Sequence, residues 1–275
     1  MNYRHSFHAG NFADLVKHAL LLWLLERRGA DGPLTVIDTH AGAGVYDLAG
    51  DGTRSKEAEA GVARLMAAER RPPLIEALAA AVTRLNPRGG AALYPGSPLL
   101  VAQTLRDDDR YVGFELNPPV LDLLTEALAP YPEAGAEGGD GYDQARAWAA
   151  EATGPLVLID PPFEKPDDYL RAADTGAAIV RADARATVAI WTPLKDLETF
   201  DGFLRRLDQA GAQRVLVAEA RLRPLTDPMR MNGCAVVILN PPAGAEAAAR
   251  EICGWVAETL GEAGARAEVW FTQAG

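Results

Sequence analysis

Asp160, Pro161, Pro162 and Phe163 directly follow Leu156, Val157, Leu158 and Ile159, an apolar run with the length and composition of a buried strand. A carboxylate, two prolines and an aromatic ring at a strand's C-terminal end suit one task well. They can grip the exocyclic amine of a nucleobase lifted out of its stack. Proline holds the turn and has no N–H, so the backbone there offers carbonyl acceptors. The Phe163 ring offers a stacking face, and Asp160 offers a second acceptor or a base. Asp-Pro also starts ordinary turns, and the chain supplies its own control. Asn240, Pro241, Pro242 and Ala243 follow another apolar run but lack both acid and ring, so this second copy reads as a turn only.

A second strand end carries glycines: Val36 and Ile37 lead into Asp38, Thr39, His40, Ala41, Gly42, Ala43 and Gly44. Such glycines let the chain turn tightly and let a ligand approach the backbone. A dinucleotide site would want a third glycine where Asp47 stands and a helix opening at once, so a nucleoside site fits better. Glu115 closes the next strand and could accept from both hydroxyls of a ribose. As a lone helix-start acid it would matter by only roughly a few tenths of a kcal/mol. Asp140, between Gly139 and Gly141, could take an adenine amino group or serve as an N-cap. Taken together, three acidic strand ends and one glycine turn imply a methyl donor held beside a base amine.

The elements that must position these groups alternate along the chain. Short apolar runs at 34–38, 111–115, 156–160, 187–191, 214–218 and 235–239 read as strands, with weaker ones at 134–137 and 267–271. Helical patterns fall at 12–28, 99–105, 119–129, 143–150, 169–180, 197–210 and 246–260. This is the pattern of an α/β fold, a mainly parallel sheet covered on both faces. Asp38, Glu115 and Asp160 should then gather at the sheet's C-terminal edge, where such folds bind ligands. Residues 47–92 break the rhythm with helical periodicity alone, interrupted by Pro72-Pro73 and Asn86-Pro87. They read as two helices inserted as a cap within a single domain spanning 1–275.

Ser97-Pro98 reads most simply as N-cap and first helical residue. All four histidines (His5, His8, His18 and His40) lie in the first forty residues, yet their spacing and the lack of a neighbouring cysteine argue against a metal. His5, His8 and His18 belong instead to an N-terminal arm and first helix folded over the site, together with Tyr3 and Lys17. For Lys17 alone, a solvated surface position is the simpler reading.

The composition is that of a soluble globular protein: 275 residues, 48% hydrophobic and 24% charged. No basic-then-apolar leader opens the chain and no apolar stretch near the start is long enough for a bilayer, so a cytoplasmic protein is expected. Cys234 and Cys253 lie among apolar residues and read as reduced core thiols. A net charge of −11 counts against a general nucleic-acid binder. Residues 52–90 are locally +3, with Arg54, Lys56, Arg64, Arg70, Arg71, Arg84 and Arg88 against Glu57, Glu59, Glu69 and Glu76. That segment is either a single nucleic-acid contact or a solvated helical face.

Four blocks carry a family resemblance: residues 3–11, 38–44, 94–98 and 160–163. Together they are similar to the bacterial 23S ribosomal RNA adenine-N6 methyltransferases of the RlmJ type, over nearly the whole chain. The resemblance implies a class I S-adenosylmethionine-dependent methyltransferase fold, Rossmann-like with a small helical insertion, and a 23S rRNA substrate. It implies that His18, His40, Ser97, Glu115, Asp140, Gly141 and Asp160 contact S-adenosylmethionine, beside the turn glycine Gly42, with no metal and no obligate protein partner. Asp160 would be the catalytic acceptor, helped by Lys17 and Phe163. Tyr3, His5 and Pro161 would lie by the substrate base. Phe163 stands where such motifs usually have tyrosine, so stacking is kept and a hydroxyl contact is lost. Residues 223–233, with Pro228 and two methionines, also depart from the pattern. A DNA adenine methyltransferase and a non-catalytic RNA-binding or assembly factor remain the alternatives, with a nicotinamide dehydrogenase a distant third on glycine spacing.

Overall fold

The apolar runs pair into one eight-stranded sheet in the computed structural model, which describes residues 8–49, 56–227 and 230–272. The chain opens with α1 (Phe12–Gly29), β1 (Thr35–Asp38) and β2 (Val45–Asp47). The insertion follows as α2 (Glu57–Ala60), α3 (Val62–Ala67) and α4 (Pro73–Leu85), and β3 (Leu93–Pro95) closes it. Next come α5 (Ser97–Ala102), β4 (Arg110–Glu115), α6 (Pro118–Leu128), β5 (Ala134–Gly138), α7 (Gly141–Glu151) and β6 (Leu156–Ile159). The last third holds α8 (Asp168–Ala182), β7 (Thr187–Leu194), α9 (Leu197–Gln209), β8 (Val215–Arg221), β9 (Gly233–Leu239), α10 (Ala245–Leu260) and β10 (Arg266–Phe271).

Strand order is β10-β8-β9-β7-β6-β1-β4-β5. β5, β4, β1, β6 and β7 run parallel, whereas β9 is antiparallel to both β7 and β8, and β10 to β8. From β1 the path moves outward through β4 and β5, then returns to β6 on β1's other side. The switch point therefore lies between β1 and β6, whose ends carry Asp38 and Asp160. The same topology explains the control. Leu239 pairs with Val188 at the start of β7, so Asn240-Pro241-Pro242-Ala243 turns at the opposite edge. There the Asn240 amide donates to the carbonyls of Ala184 and Ala186.

Two apolar layers sandwich the sheet. α1, α4, α5 and α10 pack on one face, and α7, α8 and α9 on the other. α1 is buried along most of its circumference, and Leu15, Leu20 and Leu24 are wholly enclosed. Each such leucine contributes about 1.5–3 kcal/mol. Asn11 caps the helix, accepting from the Ala13 and Asp14 amides at 2.9 and 3.0 Å. Cys234 and Cys253 are free and buried. Among the described residues no helix is long and apolar enough to cross a membrane.

Two sequence expectations need correction around the insertion. Among the described residues it contains three helices rather than two, because Gly61 interrupts the first: a Cβ there would lie 2.1 Å from the Gly10 carbonyl oxygen. Its ends form a short antiparallel ribbon, β2 against β3, with Asp47 opposite Leu93. Three-residue strands are too short to announce themselves by alternation.

Candidate active site

Asp160 leaves β6 beside α1, and Lys17 reaches it from that helix in a buried ion pair. Lys17 is 5% exposed and lies 2.9 Å from a second carboxylate, Asp14. Burial pushes the ammonium toward neutrality, but Asp14 and Asp160 outweigh it and raise the group well above the ordinary lysine value. The solvated reading of Lys17 is therefore wrong: α1 faces the sheet here and the ammonium is held between two carboxylates. Neither Asp14 nor Trp191, whose ring centroid lies 5.9 Å from Lys17 Nζ, was singled out from sequence. Asp14 has the i,i+3 spacing to Lys17 that could have flagged it.

Asp38 ends β1 almost sealed from solvent. Its Oδ2 accepts from the Ser97 hydroxyl at 2.7 Å and the Tyr111 hydroxyl at 3.3 Å, and its Oδ1 from the His40 amide at 3.3 Å. Burial lifts its pKa to about 6 against the lowering effect of Ser97, and nearby Asp160 adds to the rise. Ser97 thus does not cap α5, where Gly96 is the cap residue. Its hydroxyl turns inward to a buried carboxylate instead.

Glu115 leans over the glycine turn: one oxygen accepts from the Gly42 amide at 3.2 Å and the other from Asn117 at 2.8 Å. Beside it Leu116 is 64% exposed, an uncovered apolar side chain at the ligand edge. Gly42 has φ +68, and a Cβ there would meet the Tyr46 hydroxyl at 2.2 Å. Asp140 is both N-cap and candidate ligand. Its Oδ1 accepts from the Tyr142 amide at 3.1 Å and from Arg171 at 2.8 Å. Desolvation opposes this, yet Arg171 holds the carboxyl below its usual range. Gly141 packs so tightly on β1's exit that a Cβ would sit 1.8 Å from the Thr39 carbonyl oxygen. His40 stands edge-on to Tyr142, centroids 4.8 Å apart, and loss of solvation pushes it down to about 4. It is a neutral imidazole at pH 7.

Phe163 is not held out as an open platform. It is 9% exposed, and its ring packs 4.4 Å from Tyr169 and 5.9 Å from Trp191. Its φ is +51, an unusual backbone state for an aromatic residue. Pro161 beside it is buried. His18 lies inside, bonded to the Tyr94 hydroxyl at 2.8 Å, with Tyr94 paired across the ribbon to Tyr46 beneath the glycine turn. Tyr3 and His5 lie outside the described residues. Among the described residues, no group of three or more His, Cys, Asp or Glu is placed to hold a metal.

The structure thus collects Lys17, Asp160, Phe163 and Pro161 at one end of the switch point. His40, Gly42, Ser97, Glu115, Asp140 and Gly141 gather at the ends of β1, β4 and β5. A family described as ribosomal RNA large subunit methyltransferase D, RlmJ (RsmJ) matches residues 31–272. The chain belongs to this family. It is 32% identical over 267 residues to ribosomal RNA large subunit methyltransferase J of Escherichia coli (strain K12), covering 96% of this chain and 95% of that protein. The Haemophilus influenzae protein of the same name is 33% identical over 269 residues, with 94% of each covered. A protein of known crystal structure from Legionella pneumophila superposes with a TM-score of 0.85 at 25% identity, covering 97% of this chain and 98% of that one. The fold is the class I methyltransferase fold expected from the family, with β10 added at the sheet's edge.

Among the described residues the insertion's basic side chains differ in what they bind, and Arg84 donates to the Gln103 side chain at 3.4 Å. Arg64 donates to the carbonyls of Thr259 and Leu260 at the end of α10. Arg71 binds the Leu65, Met66 and Ala68 carbonyls and pairs with Glu76 at 2.6 Å. These two are structural. Lys56, Arg70 and Arg88 are exposed.

Proposed function

We propose that this protein is an S-adenosylmethionine-dependent methyltransferase acting on the N6 amine of an adenine in 23S ribosomal RNA. The observation that carries the proposal is the placement of Asp160 at the switch point of a fold whose family matches residues 31–272. The relatives named above are ribosomal RNA methyltransferases by name. In this reading the chain is one domain, with residues 47–92 as a cap.

The donor set fits the cofactor. Glu115 keeps a half-buried carboxylate at the β4 end for ribose hydroxyls, Asp140 offers one to an adenine amino group, and exposed Leu116 gives an apolar face beside them. His40 and Gly42 line the turn between them, with Ser97 and His18 behind it. When bound, S-adenosylmethionine supplies an electrophilic methyl group on a cationic sulfur. Every other requirement falls on the chain.

The N6 lone pair of adenine is delocalised into its ring, which makes the amine a poor nucleophile. Asp160 and the carbonyl of the Asp160–Pro161 segment accept its two N–H bonds, turning the lone pair out of the ring plane and aiming it. The gain is chiefly orientation. Once methylated the amine is strongly acidic, and Asp160 receives its proton. To stack on the base the Phe163 ring must turn from its packing against Tyr169 and Trp191. Stacking then returns roughly 1–3 kcal/mol against a few kcal/mol for unstacking the base, which favours an adenine already exposed or weakly paired. Calorimetry with S-adenosylmethionine, then transfer assays on 23S rRNA and on DNA, test this proposal. Cofactor binding with RNA-specific transfer is expected. No binding would leave a non-catalytic RNA-binding protein, and preference for DNA would overturn the substrate.

A further inference from the structure

Lys17 is shared between two carboxylates with unlike surroundings. Asp160 ends β6 at the site, whereas Asp14 lies one turn earlier in α1 and is 9% exposed, as is the Asp160 side chain. Asp14 is also tied to the chain before the helix, where its Oδ2 accepts from the Gly10 amide at 2.9 Å. The Gly10 carbonyl in turn accepts from Val62 of the insertion at 2.8 Å.

We propose that Asp14 is a positioning residue that takes over the Lys17 ammonium when Asp160 turns to the substrate amine. This rests on the functional reading above. While the ammonium sits on Oδ2 of Asp160 it draws the carboxylate's charge and orientation toward itself, which weakens Asp160 as an acceptor for an amine N–H. A Lys17 displaced with no second partner would be an uncompensated charge in a sealed interior. Asp14 removes that obstacle, because the ammonium lies within bonding distance of both carboxylates and needs only a small shift. With both carboxylates flanking it, Lys17 is held well above the ordinary lysine value against the effect of burial, so what is handed over is a cation. Because Asp14 also holds Gly10, its grip on Lys17 depends on how the segment before α1 is seated against the insertion.

The test is a double-mutant cycle in the full-length protein: Asp14→Asn, Lys17→Met, both together, and Asp14→Glu. Asp14→Asn keeps an oxygen for the Gly10 amide but leaves Lys17 locked on Asp160. Its kcat should fall about tenfold or more with both KM values within about twofold, and Asp14→Glu should recover most of the loss. The double variant should be no slower than Lys17→Met, because Asp14 acts only through that lysine. Losses that multiply in the double variant, or an Asp14→Asn kcat within about twofold of the parent, would overturn the proposal. If Asp14→Asn does not fold, carbon-13 NMR of the unmutated protein decides. The Asp14 carboxyl signal should move when RNA is added with S-adenosylhomocysteine, and an unmoved signal overturns the hand-over. A parent protein without methyl transfer would instead remove the functional reading, and this proposal with it.

Discussion

Ser97 donates its hydroxyl to Asp38 at 2.7 Å across 59 positions of chain, and Asp38 is 1% exposed. The bond joins the start of α5 to the end of β1 and partly offsets burial of the carboxylate. With a folded pKa of about 6 against 3.8 in the unfolded chain, the folded protein holds more protons between those values. Raising pH across that window therefore lowers stability, by about 3 kcal/mol in total. Above about 6 the loss is complete. Urea unfolding of the parent and Asp38→Asn should give curves that separate between pH 4 and 6, roughly the window these pKa values set, and then run parallel. A constant difference throughout would show that Asp38 does not titrate there.

Much of this arrangement was legible beforehand. Asp38, Glu115 and Asp160 each close an apolar run, and parallel topology alone brings such ends to one edge. What stayed hidden depends on side-chain direction. Nothing in the sequence near Ser97 says that its hydroxyl turns inward rather than capping α5. Lys17 read as solvated because helical periodicity does not mark a helix enclosed on most sides. Trp191 falls in the 187–191 strand pattern, and only the fold sets it beside Lys17 and Phe163.

Gly141 is where α7 meets the β1 exit. Gly141→Ala would place a Cβ 1.8 Å from the Thr39 carbonyl oxygen, a clash with backbone that no rotamer relieves. We expect destabilisation of about 1–3 kcal/mol or more and loss of cofactor binding as Asp140 is displaced. Thermal melts and calorimetry would measure both. Unchanged affinity would separate Asp140 from the cofactor site.

Phe163 should tolerate tyrosine far better than alanine. Phe163→Ala forfeits roughly 1–3 kcal/mol of stacking with the base, so methyl transfer should drop about tenfold to a hundredfold, a factor of ten per 1.4 kcal/mol. It also removes the contacts to Tyr169 and Trp191 and should lower the melting temperature. Equal activity losses in the tyrosine and alanine variants would show that stacking is not what the ring supplies.

The exposed cations of the insertion are the ones to neutralise for RNA binding. Replacing Lys56, Arg70 and Arg88 together with glutamine should weaken binding and make the slope of log K against log salt less negative, by up to about 0.7–0.9 per lost phosphate contact. Arg64→Gln and Arg71→Gln should lower stability instead, since those side chains bind carbonyls. An unchanged salt slope in the triple variant would mean the insertion does not touch RNA.

The most direct measurement of the central claim is nucleoside mass analysis of 23S rRNA incubated with the protein and methyl-labelled S-adenosylmethionine, using the parent and Asp160→Asn. The parent should place label in N6-methyladenosine. Asp160→Asn should bind the cofactor but transfer about a hundredfold more slowly or worse. Label in any other nucleoside, or Asp160→Asn transfer within about tenfold of the parent, would contradict the account.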